Sequence, residues 1–508
     1  MQKITTLGEL KKSNYKILPV KEEIRRNLIE KLRNREQLFP GIIGYDETVV
    51  PQVVNALLAK HDIILLGLRG QAKTRIARSL TSLLDEYTPV VAGSEVNDNP
   101  FAPISYFAMN LIREKGDDTP IEWIHRSERY GEKLATPDVT IADLIGDIDP
   151  LKAAHERLHY SHEGAIHFGI VPRTNRGIFT INELPDLQPR IQVGLFNILE
   201  ERDIQIRGFK VRIPLDELII FTANPEDYTN RGNIITPLKD RIEAQIITHY
   251  PLDTESAIAI TEQEAWTQRW GEEGLVIPHY FKEIIEQIAF EARTSDFVDQ
   301  KSGVSARLPI SAMETLISNA ERRALFAGDK IIVPRVTDLA YVISGVTGKV
   351  ELVFEGEEEG ITKVAKALIG KAVKTIFKKY FPDPNAKQKK TGGNGAQQPK
   401  VKTEYDDILE WFAKGNTISL TDTMSFDDYS KELFRIPRLK EFTARHILIP
   451  EADRFALASA MEFVLDGLHQ HSKLAKEEEF GAPEISYRDM VGSIFTGGFE
   501  DDEEEDDL

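Results

Sequence analysis

The sequence predicts an α/β fold: a three-layer αβα core on a parallel sheet, then an all-α lid, then a small, mostly helical C-terminal domain. Three observations predict it. His61–Leu80 reads as strand, glycine loop and helix, with the apolar run Ile63–Leu66, then GLRGQAKT, then an Arg/Ala/Leu-rich helical pattern. Two more short apolar runs, Gly177–Ile181 and LIIFTAN, have the length and branching of buried strands. From about residue 250 to 350, four successive segments carry apolar residues at helical spacing.

Residues 1–38 hold KEEIRRNLIEKLRNREQLF, a basic amphipathic helix. Residues 39–250 form the predicted core. It opens with Ile43 and Gly44 before a helix that leads into the glycine loop. The loop Gly67, Leu68, Arg69, Gly70, Gln71, Ala72, Lys73, Thr74 is a phosphate site by its context. Loop amides and the start of the next helix point at an anion, and the helix dipole favours negative charge there. Lys73 would reach the β- and γ-phosphates, and the Thr74 hydroxyl would ligate Mg²⁺. Ala72 stands where the motif wants glycine. Alanine is tolerable at negative φ, which it would adopt once the helix has begun, and crowds the loop at positive φ. On the loop alone, an ordinary glycine turn with a solvated Lys73 remains the alternative.

After the loop, VNDNPFAPISYFAMNLIREKGDD reads as irregular, and Thr140 with Asp143 makes a helix cap for TIADLIGDID. The strand Gly177–Ile181 ends in Asn182 and Glu183. A carboxylate pair at such a strand end holds a metal's water shell and polarises an attacking water. Here the first position is an amide, and Glu183 remains as the base. Ile204 and Ile206, then Val211 and Ile213 about Gly208, give a β-hairpin signal. LIIFTAN ends at Asn224 with Pro225 behind it. Asn224 would bond the γ-phosphate or the attacking water, or else cap a turn.

In the lid, residues 251–350, GVSARLP places Arg307 near a helix start. Residues 351–384 run from an acidic patch into a basic amphipathic helix; 385–403 are a polar, Gly/Lys/Gln-rich linker; 404–495 form the C-terminal domain. Residues 496–508 are an acidic tail, read as solvated.

The 508 residues include no cysteine, which excludes disulfides, thiolate nucleophiles and cysteine-based zinc sites. Hydrophobic content of 41% with no long apolar run argues for a soluble, cytoplasmic protein without a signal peptide or membrane span. A formal charge of −19 argues against nucleic acid as partner. HERLH, His155–His159, matches the zinc-protease helix motif, with Glu156 as a possible base and His162 and His167 nearby, but no cysteine or clear carboxylate completes a ligand set, and an exposed polar helix face is the preferred reading.

Taken together, the phosphate loop, the strand ending in Glu183, the hairpin, the strand ending in Asn224 and the helical segment after them resemble an AAA+ ATPase. The likeness is to the MoxR and magnesium-chelatase small-subunit clade, over roughly residues 38–350. ADLIGDIDP followed by GAIHFGIVPRTNRGIFTINEL resembles that clade's helix-two insertion running into Walker B. ERDIQIRGFKVRIPLDELIIFTANPED is similar to its pre-sensor hairpin and sensor 1, and ITPLKDRIEAQI to the segment ending in the arginine finger. The resemblance implies ATP and Mg²⁺ as cofactors, with Gly67, Gly70, Lys73 and Thr74 on phosphate and metal. It puts Asn182 at the Walker B aspartate, Glu183 at the base, Asn224 at sensor 1, Arg241 at the finger and Arg307 at sensor 2. It further implies a homo-oligomeric ring, a hexamer, that hydrolyses ATP to remodel a partner carrying a von Willebrand A domain. Asn182 and Ala72 leave a second reading open, a nucleotide-binding scaffold or switch with slow or little turnover.

Overall fold

The computed structural model describes residues 4–155, 163–206, 212–224, 233–269, 274–386, 403–449, 453–478 and 484–490. The chain divides into two compact units, Met1–Tyr250 and Pro251–Leu508.

Five strands form the sheet of the first unit: β1 (Ile63–Leu66), β2 (Tyr130–Leu134), β3 (Gly177–Asn182), β4 (Glu217–Ala223) and β5 (Ala244–Ile247). Their order is β5-β1-β4-β3-β2, and every pairing is parallel. Residues alternate across the central strands. Ile63, Leu65, Ile178, Leu218 and Ile220 enter one apolar core, and Ile64, Phe179, Ile181, Ile219 and Phe221 the other. A sheet buried on both faces needs helices on both, which is why these strands read as continuous apolar runs. One face is covered by α1 (Val20–Asn34), α2 (Val49–Leu58) and α3 (Lys73–Ser79), which supply Ile24, Leu28, Val53, Leu57 and Ile76. The other is covered by short helices that supply Leu144, Val171, Ile191, Ile198 and Leu238. This is the three-layer αβα architecture on a parallel sheet that the sequence predicts.

A buried ion pair ties α1 to the start of β2. The Arg129 guanidinium donates to both Glu23 oxygens at 2.7 Å, and its Nε donates to the Arg176 carbonyl at 2.8 Å. Asp62, just ahead of β1, accepts from the Ile219 amide at 2.9 Å and pairs with Lys21 at 2.7 Å and with Arg202. These bonds fix strand register on the sheet edge opposite the glycine loop.

One local expectation changes. The stretch after the loop contains α4 (Tyr106–Lys115), where the sequence reads as irregular. Ser105 caps it by accepting from the Ala108 amide at 3.1 Å, and Asp98, seven residues upstream, holds the cap in place by accepting from the Ile104 and Ser105 amides. The cap therefore depends on a carboxylate outside the local pattern. Thr140 and Asp143 do form the expected capping box, and Asp203–Gln205 pairs antiparallel with Arg212–Pro214 as the expected hairpin.

In the second unit, α5 (His279–Thr294), α6 (Arg307–Ala327), α7 (Ile361–Tyr380) and α8 (Arg454–Gln470) build one continuous apolar core. Lid, amphipathic extension and C-terminal segment contribute to it alike, through Ile288, Leu316, Phe377 and Phe463. The C-terminal segment is mostly helical, as expected, but adds an antiparallel sheet: β6 (Ile418–Thr421) beside β8 (Glu484–Asp489) beside β7 (Leu474–Glu478). Most of the linker 385–403 and the whole acidic tail lie outside the described residues.

Candidate nucleotide site

Because all five strands run parallel, the loops after β1, β3 and β4 emerge at one edge of the sheet. Leu66 pairs with Ala223, Phe221 with Ile181, and Leu134 with Asn182, so the last residues of four strands stand side by side. Carboxyl ends of strands are where open α/β sheets bind ligands.

The glycine loop is held by its neighbours. A Cβ on Gly67 would collide with the Thr248 Oγ1 and the Gln71 Oε1, so any larger residue would have to break the bond between those two side chains. Thr248 donates to that Gln71 oxygen at 2.7 Å. The Tyr45 hydroxyl contacts the Gln71 carbonyl at 3.1 Å and the His249 carbonyl at 2.6 Å. Burial pushes the Tyr45 hydroxyl up to about 12, so it stays a donor at neutral pH. Ile43 and Gly44 lead into Tyr45, and Gly44 takes φ +79. Lys73 is 7% exposed and folds back over the loop, donating to the Gly67 carbonyl and to Leu68 O at 3.1 Å. Gly70 and Ala72 both sit in the left-handed region, at φ +77 and +56. The expectation of a negative φ at Ala72 is therefore corrected: the residue is the cap before α3, still outside the helix, and its methyl occupies a conformation that favours glycine.

Asn182 closes β3 and is 7% exposed. Its Oδ1 accepts from the Thr222 hydroxyl at 3.1 Å and from the Thr74 hydroxyl at 3.4 Å. Its Nδ2 donates to Glu132 Oε1 at 2.7 Å. Glu183 follows at φ +54, the backbone turning sharply out of the strand, with its amide on the Thr222 Oγ1 at 3.2 Å. Asn224 lies buried at the end of β4. Thr74 and Asn182 are thus in contact, and Glu183 and Asn224 follow the ends of the neighbouring strands β3 and β4.

The two arginines are placed differently. Arg241 ends the helix Thr236–Asp240, donating to Glu200 at 2.8 Å and to the Pro237 carbonyl at 2.8 Å, with its guanidinium 4.7 Å from the Phe196 ring centre. Arg307 is an exposed residue at the start of α6, in the second unit.

Glu132 on the edge strand β2 escaped the sequence reading. The Arg78 guanidinium grips both its oxygens, at 2.8 and 3.0 Å, and the Tyr130 hydroxyl donates at 3.1 Å. Burial pushes the Glu132 carboxyl up, but Arg78, Tyr130 and Asn182 outweigh it and hold the group below the usual carboxylate range.

The donor set suits a hard cation. Thr74 and Asn182 present oxygens and no sulfur or imidazole, and Mg²⁺ keeps several waters and takes one or two protein oxygens beside substrate phosphates. Among the described residues no group of three His, Asp or Glu is placed to hold a metal by itself. In the HERLH segment, His155 ends a short helix and residues 156–162 lie outside the described residues.

No protein-family profile matches the chain, and no curated protein does. Among solved structures it is similar to NtrX from Brucella abortus, at 14% identity over 57% of this chain, with a TM-score of 0.33; it spans only 54% of that protein. It is similar to the BchI–BchD complex of magnesium chelatase, at 19% identity over 63% of this chain and 98% of the other, with a TM-score of 0.34. A third likeness is to Hsp104 with ATPγS and FITC casein, at 12% identity over 59% of this chain and 48% of the other, with a TM-score of 0.36. Likeness at this level is partial, and the sheet order and strand-end residues carry the description instead. No helix among the described residues is long and apolar enough to cross a membrane.

Proposed function

We propose that this chain is an AAA+-type ATPase that binds and hydrolyses Mg²⁺-ATP and uses the cycle to remodel or activate a partner protein. The observation that carries the reading is the convergence of Gly67–Thr74, Asn182, Glu183 and Asn224 at the carboxyl edge of one parallel sheet. Loop amides and Lys73 would hold the phosphates, Thr74 and Asn182 the metal with its waters, and Mg²⁺ would neutralise charge on the transferred phosphoryl group. Glu183 orients and deprotonates the attacking water, and Asn224 positions that water or the γ-phosphate. On the family resemblance, Arg241 reaches a neighbouring subunit's nucleotide and Arg307 serves as the lid arginine, which requires a ring, and the partner carries a von Willebrand A domain.

One specific observation favours a second reading, a nucleotide switch with little turnover: Asn182 replaces a carboxylate and Ala72 strains the loop. Phosphate release measured with Mg²⁺ across a protein concentration series separates the two, with Lys73→Ala and Arg241→Ala alongside. Turnover that rises with concentration and disappears in both variants supports a ring ATPase. Tight ATP binding without release supports the switch, and no ATP binding at all overturns both.

A further inference from the structure

The same strand ends carry an arrangement that the loss of the Walker B carboxylate makes meaningful. Asn182 lacks a negative charge, yet its amide is held between two kinds of group. On one side two hydroxyls, of Thr74 and Thr222, donate to Oδ1; on the other a carboxylate, Glu132, accepts from Nδ2 at 2.7 Å. The amide has one good orientation there. Flipped, it would put its oxygen against the Glu132 carboxylate and lose a charge-assisted bond. Glu132 stands on β2 opposite Thr180, two residues before Leu134, which pairs with Asn182. With a side-chain period of two, Glu132 and Asn182 project on the same face of the sheet.

We infer that Glu132 supplies to the Mg²⁺ site the negative charge that Asn182 lacks, relayed through the Asn182 amide. This rests on the nucleotide-site reading above. A carboxylate accepting from Nδ2–H polarises the amide, so Oδ1 becomes a stronger acceptor for the Thr74 hydroxyl and for a metal-bound water. Glu132 is therefore a positioning and charge-supplying residue, one side chain further out than the usual acid. Arg78 does not cancel it. That guanidinium is 64% exposed and screened by water, and it belongs to α3, so it ties the carboxylate to the helix that carries Thr74.

The test is a charge swap on the full chain, read as affinity for a non-hydrolysed fluorescent ATP analogue at stepped Mg²⁺ concentrations and in EDTA. Glu132→Gln is expected to weaken Mg²⁺-dependent binding about tenfold or more while leaving binding in EDTA unchanged. Glu132→Gln with Asn182→Asp keeps the same atoms in nearly the same places and returns the charge to position 182, and is expected to recover most of the loss. Arg78→Ala removes the ion pair but keeps the carboxylate, and is expected to stay within about twofold of the wild type. The inference is overturned if Glu132→Gln binds like the wild type, if the swap stays as weak as Glu132→Gln alone, or if Arg78→Ala reproduces the loss. If Glu132→Gln does not fold, the swap decides, since wild-type Mg²⁺ dependence in it still supports the relay and its loss refutes it. A wild type that binds no analogue with Mg²⁺ overturns the nucleotide reading itself, a result distinct from any variant effect.

Discussion

The core of the second unit and the strand-end edge of the first bury polar groups in opposite ways, although the first unit also holds closed pairs such as Arg129 with Glu23. In the second unit, buried charges close on one another. Asp338 accepts from the Arg323 guanidinium at 2.6 Å, the Asn319 side chain at 2.8 Å and the Arg335 amide at 2.7 Å. Glu462 accepts from the Val336 and Thr337 amides and from the Tyr429 hydroxyl, while the Arg335 guanidinium lies 4.0 Å from the Tyr429 ring centre. In the first unit, Lys73, Asn182 and Asn224 are nearly as buried but gather at the edge where four strands end. Closed networks fix a fold. On the proposed function, the polar groups collected at strand ends around the glycine loop serve a ligand that enters from outside. If this contrast is real, changes at the strand ends should cost chemistry and leave stability, and changes in the second unit should do the reverse.

The largest effect should come from Glu183→Gln. Removing the base should lower turnover by roughly 10²–10⁴-fold, with nucleotide affinity and the melting temperature without nucleotide both retained. A variant that loses stability instead would make Glu183 a structural residue. The counterpart is Asp338→Ala, which strands a buried guanidinium and should cost about 3–5 kcal/mol of stability in a denaturant titration. Should it cost under about 1 kcal/mol, the second unit is not held by its charge network.

A third comparison uses pH. Glu286 is buried on α5 and accepts from the Thr261 hydroxyl; burial pushes its carboxyl up to about 7, against that bond. The folded state therefore holds a proton that the unfolded chain has already released, so stability falls as pH rises from the ordinary carboxylate value to about 7 and is flat above. Glu286→Gln should remove this dependence and stabilise the protein at pH 8 relative to the wild type, by at most about 3 kcal/mol. Thermal melts at pH 5 and 8 decide it. Equal slopes for both proteins would mean that Glu286 is ionised in the fold.

How much of this was legible in the sequence follows from how local each signal is. The glycine loop, the Gly177–Asn182 strand and LIIFTAN announce themselves because a strand buried on both faces must be continuously apolar. β2 does not. As an edge strand, YGEKL carries Glu132 and Lys133, and only pairing with β3, about fifty residues on, makes it a strand. Glu132 was invisible for the same reason, since its meaning lies in the Asn182 amide across that pairing. The backbone at Ala72 was misjudged because the sequence does not say where helix geometry begins: Lys73 is the first helical residue and Ala72 caps it from outside.

That residue gives the smallest and most informative prediction. Alanine at φ +56 carries strain of about 1 kcal/mol. Glycine there relieves the strain but frees the unfolded chain by about 0.4–1 kcal/mol, so the two terms nearly offset and Ala72→Gly should leave stability within about 0.5 kcal/mol. The methyl, by contrast, matters only when a phosphate occupies the loop. Its removal should tighten Mg²⁺-ATP binding by no more than roughly fivefold, the equivalent of about 1 kcal/mol. Isothermal titration of both proteins with a non-hydrolysed ATP analogue reads this directly. Tighter binding without a stability change places the substitution among the features that act on the entering ligand. A gain in stability with unchanged affinity would place Ala72 with the closed networks of the fold, and the line between the two kinds of buried group would have to be redrawn inside the loop itself.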